Sequence, residues 1–408
     1  MRARAVALSL FVPLTAVAGP VESPIIGGTD APFGKWPDVA AVYLSDNSQE
    51  CTATLVAPTL VLTAGHCVID IEPLRISAVL IGTNSLVKKA EGEVITVKQV
   101  IEYPSSQTSY DIGLLVLEKP STREPRKIAT GWAKLDIKVG AMANIVGYGA
   151  VDRSGPVLYG GEEEYVNELQ EATIAIVDAD CSEHPADCEA AAMPAGELAA
   201  GGPGMPDTCP GDSGGPLYLP TDYGTFLAGV TSRGYEANRY WCSEGGLYVR
   251  ADKIADWIEK ASGLPVARGP EPTVPAKLTA VRGHAAEAAI DANDPKSDEH
   301  AFAITKQPMY GKAAVRDDGT LRVCTDPGVV AADKLELSIT DRNDPARVLT
   351  FTIALDITEG EPGGSCDVDD FESGGCCDSG RSAGGSIPLA LVLAVLLTRH
   401  RRHPVERE

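Results

Sequence analysis

Apolar residues along the first two thirds of the chain come in short runs, each bounded by glycine, proline or small polar residues. Runs at 39–44, 53–62, 78–81, 94–101, 112–117, 143–146, 169–177 and 226–230 are rich in Val, Ile, Leu and Ala. They read as strands, and many short strands set off by turns predict an all-β barrel or sandwich. The segment 252–260 departs from that period. There Ile254, Trp257 and Ile258 recur at helical spacing and predict a closing amphipathic helix. Residues 263–276 carry Pro270, Pro272 and Pro275 and predict a stiff linker. Strand patterning resumes over 277–358. Runs at 301–308 and 311–323, with Asp318-Gly319 as a turn, give a hairpin signal, and 335–341 and 349–357 add further strands.

Both ends read differently. Residues 1–18 combine Arg2 and Arg4, an apolar stretch at 5–12 and the small-x-small triplet Ala16-Val17-Ala18, which predicts a cleaved export signal. Residues 359–386 are rich in Gly, Ser and Asp and predict a flexible stalk. The apolar run 387–397 is shorter than an ordinary spanning helix. Arg399, Arg401 and Arg402 follow it, as positive-inside orientation requires of a cytoplasmic tail. With Cys376-Cys377 ahead of it, the segment 387–408 resembles a bacterial C-terminal sorting tag of the cysteine-containing myxobacterial type. Gly384-Gly385-Ser386 fits the Gly-Gly type, and a plain tail anchor is the simpler alternative.

The chain has 408 residues, room for two or three domains, and a formal net charge of −22. That charge argues against a nucleic-acid partner and reads as solubility, with a weak bias toward cationic substrates. Ten cysteines fit an oxidising, exported compartment. The histidines lack ligand spacing and no CxxC motif occurs, so neither metal nor cofactor is expected. The acidic loop 291–294 reads as a solvated turn rather than a calcium site.

Candidate chemistry lies on three stretches. In Gly211-Asp212-Ser213-Gly214-Gly215-Pro216, a serine flanked by glycines sits on a tight turn beside free backbone N–H groups, as a nucleophile with an oxyanion hole needs. His66 ends an apolar run and precedes Cys67, and Asp111 stands at the mouth of the run 112–117. A serine hydroxyl needs a base, and a histidine needs an acid to fix its tautomer. The order His, Asp, Ser over residues 25–262 resembles the trypsin-like, chymotrypsin-fold serine proteases.

That resemblance implies a double β-barrel with a C-terminal helix, and a secreted endopeptidase acting through an acyl-enzyme. Ser213 would be the nucleophile, His66 the general base and Asp111 its orienting acid, with the N–H groups of Gly211 and Ser213 as oxyanion hole. Asp207 matches the floor of the specificity pocket and Gly234 and Gly246 its walls, which implies cleavage after Arg or Lys. Ser232 matches the residue whose backbone pairs with substrate, and Arg233 stands where the family usually has an aromatic residue. Ile25 would pair its freed α-amino group with Asp212 once a propiece, residues 19–24, is removed. Pro24 is not a tryptic cleavage residue, so a separate activating protease is expected. The resemblance also implies disulfides Cys51–Cys67, Cys209–Cys242 and, by replacement of a missing partner, Cys181–Cys188. Cys324, Cys366, Cys376 and Cys377 stay unassigned. The region 277–358 resembles small cadherin-like or Ig-like β-sandwiches, which serve as spacers or binding modules. Expected partners are protein or peptide substrates and a processing protease for the tag, at the cell surface or outside it. The alternative is an inactive, protease-like surface binding protein. An esterase is disfavoured because the chain lacks a G-x-S-x-G elbow.

Overall fold

A computed structural model describes residues 25–69, 74–104, 110–150, 167–183, 196–235, 242, 244–361 and 366–368. A two-residue strand, β1 (Thr29–Asp30), leads into β2 (Val39–Leu44), β3 (Gln49–Ala57), β4 (Leu60–Thr63), β5 (Ile76–Ile81), β6 (Glu93–Glu102) and β7 (Gly113–Leu117). Strands β2 to β7 close into an antiparallel barrel in the order β2-β3-β4-β7-β6-β5. The run 53–62, expected as one strand, is two. Pro58 has no N–H to give a ladder, so the chain turns there and Thr54 pairs back with Leu62.

A second antiparallel barrel is built from β8 (Met142–Gly147), β9 (Gln170–Asp178), β10 (Glu197–Ala200), β11 (Pro216–Thr221), β12 (Gly224–Gly234) and β13 (Gly246–Arg250). Its ring runs β9-β10-β13-β12-β11-β8 and closes through β8 pairing with β9, while β1 adds to β9 outside it. Helix α1 (Ala251–Ser262) follows, stopped by Gly263 in the left-handed conformation. It buries Ile254, Ala255 and Ile258 in a core shared by both barrels. The barrels are also tied by a buried polar brace. Arg126 donates to both oxygens of the buried Asp38 (2.9 and 2.5 Å), Tyr218 of β11 donates to the same carboxylate, and Trp36 stacks on Tyr218 at 4.7 Å. Burial is tolerated because each charge has a bonded opposite.

The last region is also all-β. Strands β14 (Lys277–Val281), β15 (Ala285–Ala289), β16 (His300–Lys306), β17 (Gly311–Val315), β18 (Thr320–Thr325), β19 (Ala331–Asp341) and β20 (Val348–Thr358) form two sheets, ordered β14-β20-β19-β16 and β15-β18-β17. Both sheets contribute to one core, with Leu337 and Ile353 from the first and Leu321 and Val323 from the second. The Asp318-Gly319 turn joins β17 to β18 as the sequence predicts.

The proline-bearing segment is bonded to what precedes it, not merely a spacer. Ile128 N–H donates to Ala267 (2.8 Å), Gly269 N–H to Ile128 (2.9 Å) and Trp132 N–H to Pro270 (2.9 Å). Trp132, from a short 3-10 turn before β8, is fully buried in the core of the last region and donates through Nε1 to the Ala292 carbonyl at 2.7 Å. Arg347 returns the contact, bonding Asp136 (2.6 Å) and the Trp132 carbonyl (2.7 Å). Within the segment 359–386, expected as a stalk, the Cys324–Cys366 disulfide and the buried Val368 join the last β region, and residues 362–365 and 369–386 lie outside the described residues. Among the described residues no helix is long and apolar enough to cross a membrane. The export signal, the propiece and the segment 387–408 lie outside the described residues.

Candidate active site

The site lies between the barrels, on the turns that leave their strands. His66 follows β4 in a loop tied back by the Cys51–Cys67 disulfide, and the hydroxyl of Thr63 donates to the Thr52 carbonyl at 2.9 Å. Asp111 stands two residues before β7, which pairs with β4 in a register setting Thr63 opposite Gly113. This pairing brings the acid to the histidine. The carboxylate accepts the His66 backbone N–H on Oδ1 (2.7 Å) and faces Nδ1 with Oδ2 (2.8 Å). Ser232 Oγ donates to Oδ2 as well, at 2.7 Å. Burial pushes the Asp111 carboxyl up, but the His66 bonds and charge and the Ser232 bond outweigh it and hold the group below its ordinary range.

Ser213 arrives from the other barrel. Its carbonyl accepts the Thr52 N–H at 3.0 Å, and Gly214 N–H donates to Thr231 at 2.8 Å, so the loop is clamped between β3 and β12. Gly214 has φ +79°, and a Cβ there would lie 2.1 Å from Thr63 Oγ1 and 2.6 Å from the Ala64 nitrogen. Only glycine lets the serine loop come this close to the strand that carries His66. The Gly211 and Ser213 N–H groups make no backbone hydrogen bond among the described residues. Among the same residues Ser213 Oγ makes no hydrogen bond with His66. The His66–Asp111 bond is thus formed, and the Ser213 backbone is held beside Thr52 and Cys67, with no Ser213–His66 bond among the described residues. Catalytic hydrogen bonds commonly tighten only when substrate is bound.

Cys51 and Cys67 fall together with His66 at metal-ligand distance, but their sulfurs are bonded to each other and are not thiolate ligands. The Cys209–Cys242 disulfide braces the loop before β13, and Cys181 is disulfide-bonded to a partner outside the described residues.

Asp207 is 2% exposed, and its carboxylate accepts N–H groups of Thr208 (2.8 Å), Glu244 (3.1 Å) and Gly245 (3.0 Å). Gly234 and Gly246 stand directly opposite each other across β12 and β13. Ile25 is fully buried among Ala143, Leu198 and Tyr248, with φ 52°, an unusual conformation for a β-branched residue. Asp212 is fully buried too. It accepts N–H groups of Cys209 (2.9 Å) and Gly149 (2.8 Å) and has no cation bonded to it among the described residues. A Cβ at Gly149 would lie 2.5 Å from the Asp212 carboxyl carbon, so that glycine leaves room for the carboxyl. Burial pushes Asp212 up to about 7, opposed by the two N–H bonds and helped by the charge of Asp207.

Sequence reasoning missed one pair beside this site. Arg233 of β12 grips the fully buried carboxylate of Glu197 in β10, at 2.8 and 3.0 Å. The signal was an arginine where an aromatic residue was expected, with a lone acid in an otherwise apolar tetrapeptide, Glu197-Leu198-Ala199-Ala200. The acid also hid β10 from hydrophobic patterning.

A family model described as Trypsin matches residues 25–258. The chain is similar to a protein named Trypsin from Saccharopolyspora erythraea, at 30% identity over 57% of this chain and 95% of that protein. It is similar to Transmembrane protease serine 11E of Mus musculus, at 30% identity over 59% of this chain but only 55% of that protein's length. It is also similar to Glucanase inhibitor protein 3 of Phytophthora infestans, at 30% identity over 57% of this chain and 86% of that protein.

Proposed function

The chain belongs to the trypsin family of serine endopeptidases, and from that premise we propose that it is exported and cuts peptide bonds after arginine or lysine. The observation that carries the reading is the His66–Asp111 pair, bonded at 2.8 Å, beside a serine loop held against the same strand hairpin. In the proposed reaction His66 takes the Ser213 proton as Oγ attacks the scissile carbonyl. The N–H groups of Gly211 and Ser213 receive the oxyanion. His66 then gives the proton to the leaving amine, and water repeats the sequence on the acyl-enzyme. Asp111, held ionised by its hydrogen bonds, fixes the imidazole and offsets its charge. Asp207 would meet the substrate cation as a charge-assisted pair.

The uncut chain supports an activation step. Asp212 is buried with no cation bonded to it among the described residues, and Asp207 is bonded to the Gly245 N–H beside β13. A free Ile25 amine would supply the missing charge for Asp212 and reorder the loop that also carries Gly211 and Ser213. Because Pro24 precedes Ile25, another protease would make that cut. The disulfides fit an exported protein. The segment 387–408 would serve as a sorting tag that a processing protease removes, leaving the enzyme at the cell surface or free in the medium.

Peptide substrates differing only in Arg, Lys, Phe or Ala before the cut test this on protein cleaved before Ile25. Strong preference for Arg and Lys is expected. Cleavage after Phe or Ala would remove Asp207 from its proposed role and leave the triad. S213A should lower turnover on the order of 10⁶-fold, by analogy with subtilisin. The relative named as a glucanase inhibitor gives a second reading, a binding protein on a protease scaffold. Covalent labelling of Ser213 by a fluorophosphonate is expected of the protease and not of that alternative.

A further inference from the structure

We propose that Arg233 is a positioning residue of the active site: clamped by buried Glu197, it holds the Ser232 hydroxyl against Asp111 and sets the charge balance felt by His66. The inference rests on reading His66, Asp111 and Ser213 as the triad. A continuous chain of polar contacts carries it. Glu197 receives two parallel N–H bonds from Arg233, at 2.8 and 3.0 Å. Arg233 Nη1 also donates to Ser232 Oγ at 3.2 Å. Ser232 Oγ donates to Asp111 Oδ2 at 2.7 Å, the same oxygen that faces His66 Nδ1 at 2.8 Å. A hydroxyl has one proton. With the guanidinium donating into its lone pair, that proton is directed to Asp111. Without the guanidinium, Oγ is free to rotate toward other acceptors.

The strand is shaped for this. Pairing of β12 with β13 sets Thr231 opposite Tyr248 and Arg233 opposite Leu247, so Ser232 is an extra residue in a bulge. Successive side chains of a regular strand point to opposite faces, whereas a bulge re-aims them. Here it lets Ser232 and Arg233 meet. Glu197 makes the arginine obligatory, because its side chain has no exposed surface and an unpaired carboxylate would be costly there. The fork geometry of the pair suits arginine rather than lysine.

The other charged groups around the site do not duplicate this role. Arg250 and Asp252, where β13 meets α1, form their own two-bonded pair at 2.9 and 2.9 Å. Tyr110, just before Asp111, feels Tyr103, Asp252, Glu197 and Arg250, and burial foremost keeps its phenol above its ordinary range and so neutral. Of the Arg233–Glu197 pair, the cation bonds the Ser232 hydroxyl and so lies on the Asp111 side, with the anion behind it.

Opposite shifts follow from removing each charge. R233M removes the cation that lies on the Asp111 side, which favours the imidazolium, so the acid limb of kcat/KM should move up by roughly half a pH unit. E197Q leaves the Arg233 cation, and the limb should move down by a similar amount. The double variant should return toward the parent, and R233K, which keeps the charge, should stay near the parent limb. The experiment is the pH profile of kcat/KM on one arginyl peptide, using the full chain cut before Ile25, with circular dichroism to confirm folding. Should R233M not fold, E197Q alone decides. Limbs that do not move, that move the same way, or variants that alter only KM would overturn the positioning role. Failure of the parent to label with fluorophosphonate would instead overturn the triad reading and this inference with it.

Discussion

Among the described residues Asp212 is a buried carboxylate with no cation bonded to it, and its protonation ties the stability of the uncut chain to pH. Its folded value, about 7, lies above the ordinary carboxylate range it would return to on unfolding. The folded state therefore binds the proton more tightly than the unfolded state. The stability this contributes is fully present below about pH 4 and is lost as pH rises through about 7, a change on the order of 4 kcal/mol. Urea midpoints of the uncut chain should fall between about pH 4 and 7, and D212N should flatten that slope. Cutting before Ile25 should supply a cation, pull Asp212 down and remove or invert the dependence. An uncut chain with equal midpoints across that window would show that Asp212 is not a lone buried acid. At this scale the proposed nucleophile, base and acid could be read as candidates because their residue types and flanking glycines and cysteines are local signals. The Glu197–Arg233 and Asp38–Arg126 pairs were not legible. Their members lie 36 and 88 positions apart, and nothing local marks which acid a given arginine will meet.

Two strand hairpins and one bulge place the proposed catalytic groups, and their tolerances are narrow. Gly214 is a tight point, since a methyl group there meets Thr63 and Ala64 at less than contact distance and the backbone is left-handed. G214A should abolish fluorophosphonate labelling of the cut protein while circular dichroism stays β-like. Retained labelling would mean that the serine loop can withdraw from β3 without losing function. Most strands of the two barrels and the closing helix were legible from apolar runs, because each buries a continuous face. Three strands of the second barrel escaped, and one run was read as a single strand. The strand β10 carries a buried glutamate, β11 begins with Pro216 inside the serine motif, β13 is a five-residue strand opening on Gly246, and the 53–62 run folds back at Pro58. Patterning reports burial, and it is silent where a charge is buried or where a turn is as apolar as its strands.

Across the whole molecule, the protease barrels and the last β region are locked by a tryptophan rather than strung on a linker. Trp132 is fully buried in the neighbouring core and bonded to Ala292, with Arg347 reaching back to Asp136. W132A should cost about 3–5 kcal/mol and split thermal unfolding into two transitions, with the proline segment becoming open to limited proteolysis. A single, unshifted transition would show that the regions are joined by the proline segment alone. The sequence by itself determined the all-β class, the closing helix, the serine, histidine and aspartate at their positions, and the expectation of disulfides. These rest on local periodicity and on short motifs whose chemistry allows few substitutes. Only the tertiary structure decided that Ser232 bonds Asp111, that Arg233 stands behind it on Glu197, and that Trp132 belongs to the core of another region. It also decided that Asp212 and Asp207 are buried in the uncut chain. Each of these depends on which distant strands become neighbours. That choice is made by closure of the barrels and packing of their cores, not by any segment alone.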